Sequence, residues 1–173
     1  MGQLTVGSNP TPSATPVGAP ARAACCAVDT GPVSTMSPDE IREFLAHGTR
    51  TAKVATVRAD GRPHVAPVWF ILDGDDLIFN TGEATMKGHA LRRDPRVALC
   101  VDDERPPFSF VVVTGEASLS TDPEELVRSA TQISARYMGQ DRAEEFGRRN
   151  AVPGELVVRV TPTSIVAERD LAD

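Results

Sequence analysis

Two periodicities divide the chain. Ser37-Pro38-Asp39-Glu40 combines a helix N-cap, a proline at the first helical position and a capping-box glutamate. Ile41, Phe44 and Leu45 follow on one face, which predicts an amphipathic helix ending near Gly48. Beyond it the period drops from 3.6 to 2. Lys53 to Ala59 alternates apolar and polar residues, Asp60-Gly61 is a hairpin turn signal, and Pro63 to Leu72 reads as the returning strand. Asp73-Gly74-Asp75 makes another turn before a strand from Leu77 to Thr81. Thr85 then caps a short helix that Asp94-Pro95 stops. Two more strands, Arg96 to Asp102 and Ser109 to Leu119, flank Arg105-Pro106-Pro107. Asp122-Pro123-Glu124-Glu125 opens a helix to about Met138, a second helix spans Arg142 to Arg149, and Glu155–Val160 with Thr163–Glu168 supply one or two closing strands. Strands joined mostly by hairpins, without helical crossovers, predict a mainly β fold: a closed or nearly closed antiparallel barrel with flanking helices.

This pattern begins only at Met36. Residues 1–35 are rich in Gly, Pro, Ser, Thr and Ala and poor in large apolar side chains. Such a segment cannot offset an ordering entropy of about 1–2 kcal/mol per residue, so a disordered tail is expected over 1–35 and one domain over 36–173. Ala23-Ala24-Cys25 loosely resembles a lipoprotein signal, but no apolar stretch precedes it.

Composition narrows the function classes. A net charge of −6 and a pI near 5.1, with arginines scattered among more numerous acids, argue against nucleic-acid or anionic-membrane partners. No apolar run approaches the length of a bilayer span. Cys25 and Cys26 lie in the tail, and Cys100 sits in an apolar strand. Neither they nor His47, His64 and His89 show metal-ligand spacing. A cytoplasmic protein without a structural metal is expected.

The candidate chemistry lies between Asn80 and Pro95. Lys87 falls in the first turn of the short helix, where free N–H groups and the macrodipole already present positive charge. The chain has two lysines against sixteen arginines, and one of them occupies this unfavourable place. Lysine, N–H groups and the hydroxyls of Thr81 and Thr85 together suit an anion such as a phosphate. The segment alone equally admits a solvated lysine and two ordinary capping threonines. Trp69, the single tryptophan, suits either the core or a ring-stacking face. His64 and His89 read as exposed, and Tyr137 as core. No acid/base pair, Ser/His/Asp order or Cys/His pair stands out, so no catalytic side chain is assigned.

Several stretches resemble the pyridoxamine 5′-phosphate oxidase-like split β-barrel superfamily. They are Gly61-Arg62-Pro63-His64 with Val65 to Phe70, Leu77-Ile78-Phe79-Asn80-Thr81, Lys87, Leu91-Arg92-Arg93-Asp94-Pro95-Arg96-Val97 and Val113-Thr114-Gly115-Glu116-Ala117. The resemblance runs from about Pro38 to Glu168 and is closest to the coenzyme F420 (deazaflavin)-dependent oxidoreductases. It implies a homodimeric split barrel with the cofactor in a groove at the dimer interface. It further implies that Lys87 and Thr81 bind the cofactor phosphate beside Asn80 and Thr85. Ala66, Pro67, Val68, Trp69, Phe70 and Ile71 would lie along the ring, and Met86 and Phe110 would contact the cofactor. The vitamin oxidase carries arginine, lysine, arginine and glutamine where this chain has Ala66, Ile71, Met86 and Phe110. Each lost charge-assisted contact forfeits about 1.5–3 kcal/mol, so tight binding of flavin mononucleotide (FMN) is disfavoured. The implied activity is hydride transfer between coenzyme F420 and an activated C=C or C=N bond of a small organic substrate. The alternatives are an FMN flavoprotein and a flavin- or haem-binding protein without turnover.

Overall fold

The computed structural model describes residues 34–172. Residues 1–33 of the tail expected over 1–35 therefore lie outside the described residues. The described residues open just before the expected boundary: β1 (Ser34–Thr35) pairs with Arg169 and Glu168 near the chain's end.

Helix α1 (Pro38–Ala46) starts with the full capping box. The Glu40 N–H donates to the Ser37 hydroxyl and the Ser37 N–H donates to the Glu40 carboxylate. Its apolar face lays Leu45, Ile41 and Phe44 on the barrel core. β2 (Ala52–Val57) turns at Gly61, whose φ of +81° suits glycine, into β3 (Pro63–Val68). β4 (Ile71–Asp73) and β5 (Asp76–Gly82) form the next hairpin, and α2 (Met86–Arg93) follows. β6 (Arg96–Asp103) and β7 (Ser109–Ser120) lead to α3 (Pro123–Met138), a 3₁₀ turn, α4 (Ala143–Asn150) and β8 (Glu155–Arg169).

The strands form one antiparallel sheet in the order β3-β2-β6-β7-β8-β5-β4, with β1 against β8. The outer strands β3 and β4 are joined by Trp69-Phe70 alone, so the sheet curls until its two edges meet through that link. This is the expected mainly antiparallel split-barrel architecture with flanking helices. Phe70, Phe79, Leu99, Val101, Val111, Val113, Val158 and Val160 fill its interior.

Two elements differ from the sequence expectation. The single strand expected over Pro63–Leu72 is two, because the chain changes partners at Trp69-Phe70: β3 pairs with β2, β4 with β5. The closing segment is one strand of 15 residues rather than two, since β8 serves β5 through its first half and β7 along most of its length. At Gly115 a Cβ would collide with the Thr161 carbonyl, so glycine permits the bulge where β7 and β8 shift register.

Candidate functional site

A cavity of about 550 Å³ opens between the end of β3, the end of β5, the start of α2 and the α3–α4 hairpin. Pro67, Val68 and Trp69 form one wall, Asn80 and Lys87 another. Ala130 and Ile133 of α3 form the third, with Arg149 and Asn150 at the end of α4. Thr51, Val152 and Glu155 complete it.

The Lys87 corner is held from below by the first turn of α2. The Gly88 N–H donates to the Thr85 hydroxyl at 3.1 Å, and that hydroxyl donates to the Gly82 carbonyl at 2.8 Å. With its one proton so used, Thr85 can only accept at its 3.1 Å contact with Thr81, so Thr81 is the donor there. Both expected phosphate hydroxyls are thus committed to fixing the helix start. Gly88 is a packing requirement, because a Cβ there would lie 2.5 Å from the Gly82 carbonyl oxygen and 2.7 Å from that of Glu83.

What α2 then presents is a lysine with nothing to hold. Lys53 forms an ion pair with Asp102, whereas Lys87 has neither a hydrogen bond nor a carboxylate partner among the described residues. Next to it the Asn80 carboxamide oxygen lies 3.0 Å from the Ser129 hydroxyl, whose single proton it shares with the Leu126 carbonyl at 3.1 Å, while Asn80 Nδ2 is buried and unpartnered among the described residues. A buried donor without a partner costs about 1–3 kcal/mol, and a ligand acceptor would remove that cost.

The opposite wall is pinned by α3. Phe70 is held at both ends of its peptide unit: its N–H donates to the Tyr137 hydroxyl at 3.2 Å, and its carbonyl accepts from Arg136 at 2.9 Å. Tyr137 also donates to the Arg50 carbonyl at 2.7 Å, and Arg136 to the carbonyls of Leu45 and Gly48. The Trp69 indole stacks on the Tyr137 ring, with centroids 4.8 Å apart and planes 3° apart. Trp69 keeps 40% of its surface exposed. Burial pushes the Tyr137 hydroxyl up from its ordinary value and the Arg136 guanidinium down. Both groups are structural clamps on the Trp69-Phe70 link.

Of the residues expected at the site, the structure brings together Pro67, Val68, Trp69, Asn80 and Lys87. The others stand elsewhere. Phe70 is wholly buried beneath the Arg136 guanidinium, and Ile71 packs on the small cluster around Ile78 and Leu126. Ala66 lies opposite Val54 on the β2–β3 ladder, and Met86 is exposed at the start of α2. Phe110 is paired with Asp102 and Glu168 at the far end of β7. Thr81 and Thr85 support the site without lining it.

Sequence reasoning missed Glu155, Arg149 and Asn150. Glu155 reaches the site through its register opposite Gly82, a pairing between strands more than seventy residues apart. Arg149 and Asn150 arrive because Gly147 lets α4 press against Thr131 of α3. Burial raises the Glu155 carboxyl from its ordinary range, and the Lys87 charge opposes that rise. Among the described residues no group of three His, Cys, Asp or Glu side chains could hold a metal ion. No described helix is long and apolar enough to cross a membrane.

Comparison with known proteins fits this geometry. No curated protein matches the chain in sequence. A conserved hypothetical protein of Mycobacterium tuberculosis, Rv2991, superposes with a TM-score of 0.69 at 26% identity, covering 78% of this chain and 86% of its own. A structure described as an F420 reductase gives a TM-score of 0.56 at 27% identity, covering 71% and 94%. A FAD-binding protein of Mesorhizobium loti shares the fold at 21% identity, with a TM-score of 0.57 over 79% and 95%. The family model described as pyridoxamine 5′-phosphate oxidase matches residues 37–167, almost the whole described barrel. The chain belongs to the pyridoxamine 5′-phosphate oxidase family.

Proposed function

We propose that the protein is a coenzyme F420-dependent oxidoreductase whose cofactor is anchored by its phosphate at Lys87. The observation that carries the reading is the unpaired Lys87 amine beside the unsatisfied Asn80 Nδ2, in one wall of a cavity whose other walls are largely apolar. The 27% identity with an F420 reductase supports the deazaflavin. Bound in its reduced form, the deazaflavin would supply a hydride to an activated C=C or C=N bond of a small organic substrate, the resulting anion taking its proton from solvent. The chain's own residues do the rest. Lys87 and Asn80 hold the phosphate, Pro67, Val68 and Trp69 offer a ring face, and Ala130, Ile133 and Val152 keep water from it.

A homodimer belongs to this reading. Val57 and Val65 on the β2–β3 hairpin and Ile165 and Val166 on β8 are exposed apolar strand residues that a second copy would cover. Phe110, remote from the cavity within one chain, would then reach the cofactor only from the partner. A cytoplasmic location accompanies it, as the reduced cofactor would be generated there.

The test is single-turnover oxidation of reduced F420 by a panel of enones, quinones and imines, followed by absorbance. Oxidation that requires both protein and substrate supports the proposal. Saturable F420 binding with no turnover across the panel would make the protein a carrier instead, and a yellow preparation as purified would indicate resident flavin.

A further inference from the structure

On the reading of Lys87 as a phosphate anchor, Glu155 is the acid that shares its cavity. Glu155 opens β8 directly across from Gly82, and one of its carboxylate oxygens would stand 3.2 Å from a Cβ at that glycine. It lines the cavity with Lys87 and Asn80, and its carboxylate has no hydrogen-bond partner among the described residues. An acid in a cation's pocket, neither paired nor hydrogen-bonded, is a poor choice for stability. It makes sense as a brake on a second negative charge.

The charges facing Glu155 come from three elements. Lys87 of α2, which acts on the Glu155 carboxyl, and Arg149 at the end of α4 line the same cavity. Glu83, in the turn before α2, is neutralised by Arg92 at 2.6 Å. Asn80, Asn150, Thr51 and Trp69 are uncharged. Lys87 and Arg149 against Glu155 leave the pocket with one net positive charge. That balance suits a phosphate esterified on both sides, which carries a single negative charge. A terminal phosphate has a second pKa near 6 and so carries close to two at neutral pH. In a half-buried pocket an uncompensated second charge is repelled by the carboxylate, and specificity arises from what is disfavoured.

We propose that Glu155 is a specificity-determining residue that admits phosphodiester-anchored cofactors and disfavours those ending in a phosphomonoester. Coenzyme F420 is of the first kind, because its phosphate links the ribityl chain to the next group. FMN is of the second.

The experiment holds the ring constant and varies only the phosphate. Riboflavin, FMN and the monomethyl ester of FMN are titrated into the full-length protein at pH 7.5, following the fluorescence of Trp69. Wild type is expected to prefer the methyl ester to FMN, and Glu155→Gln to tighten FMN about tenfold while moving the methyl ester far less and riboflavin not at all. Glu155→Ala should shift the same ratio, which guards against a fold defect peculiar to one variant. An unchanged ratio in both variants, or equal tightening of both phosphates, overturns the proposal but leaves the Lys87 anchor standing. If wild type binds neither phosphate better than riboflavin, and Lys87→Ala changes nothing, the anchor fails and the proposal fails with it.

Discussion

The two lysines of this chain sit in opposite circumstances. Around Lys53 the charges are mostly answered: Lys53 pairs with Asp102, and Arg50 and Arg105 both pair with Asp103, which leaves exposed Glu104 without an ion pair among the described residues. Around Lys87 the corner is left open: among the described residues the amine forms no hydrogen bond or ion pair, the Asn80 Nδ2 lacks an acceptor, and the Glu155 carboxylate shares the cavity without a direct ion pair. The first region is nearly complete as it stands, and its ion pairs tie β2 to β6 and fix Arg50 and Arg105 in the flanking loops. The second becomes complete only when something anionic arrives. Unsatisfied groups gathered at one cavity are therefore better guides to function here than the number of charges.

Removing the two amines separately breaks this comparison most sharply. Lys87→Ala should weaken cofactor binding by about 1.5–3 kcal/mol, or roughly tenfold to a hundredfold, whereas Lys53→Ala should leave it nearly unchanged. Fluorescence titration with F420 reads both. Equal losses would mean that net charge, not the open corner, attracts the cofactor.

The next effect is steric. Gly88→Val should push α2 off the Gly82-Glu83 backbone, costing about 1–3 kcal/mol of stability and displacing Lys87. Thermal denaturation and the same titration would show both losses. Unaltered binding would mean that the start of α2 is not what aims the lysine.

Tyr137→Phe sharpens the opposite wall. It strands the Phe70 N–H and the Arg50 carbonyl, costing about 1–3 kcal/mol, yet keeps the ring beneath Trp69. Denaturant melts should show the loss while the Trp69 emission maximum stays nearly fixed. A large emission shift would show that the hydroxyl, rather than the ring stack, sets the position of Trp69.

The smallest effect lies in the closed corner and depends on pH. Arg105, and after it Arg50, hold the Asp103 carboxyl well below its ordinary 3.8. A depressed native value means that the folded chain releases this proton more readily than the unfolded one. Its stabilisation is therefore present above pH 3.8 and is lost as pH falls towards the native value. Asp103→Asn should flatten the acid limb of the stability profile and leave cofactor binding unchanged. An identical acid limb would remove Asp103 from the account.

The barrel was legible because its signals are local. The capping box at Ser37, the Asp60-Gly61 turn and the period-2 strands each act within a few residues, and each element lies close to where its pattern predicts. Lys87 was legible for the same reason, as an anomaly against the helix dipole next to it. What stayed hidden is non-local. The break at Trp69-Phe70 depends on Arg136 and Tyr137 on α3, and the Glu155 position depends on which strand β8 pairs with. Thr81 and Thr85 were legible as a hydroxyl pair, but their roles depend on one proton. Once the Thr85 hydroxyl donates to Gly82, the pair braces the helix rather than facing the cavity.

The central claim is that the open corner receives a cofactor phosphate. A crystal structure of the protein with bound F420 tests it most directly. The account predicts a phosphate oxygen about 2.7–3.0 Å from Lys87 Nζ, with Asn80 Nδ2 also donating to the ligand and the ring against Trp69. A cofactor bound elsewhere, with the Lys87 amine still unpaired, would contradict it.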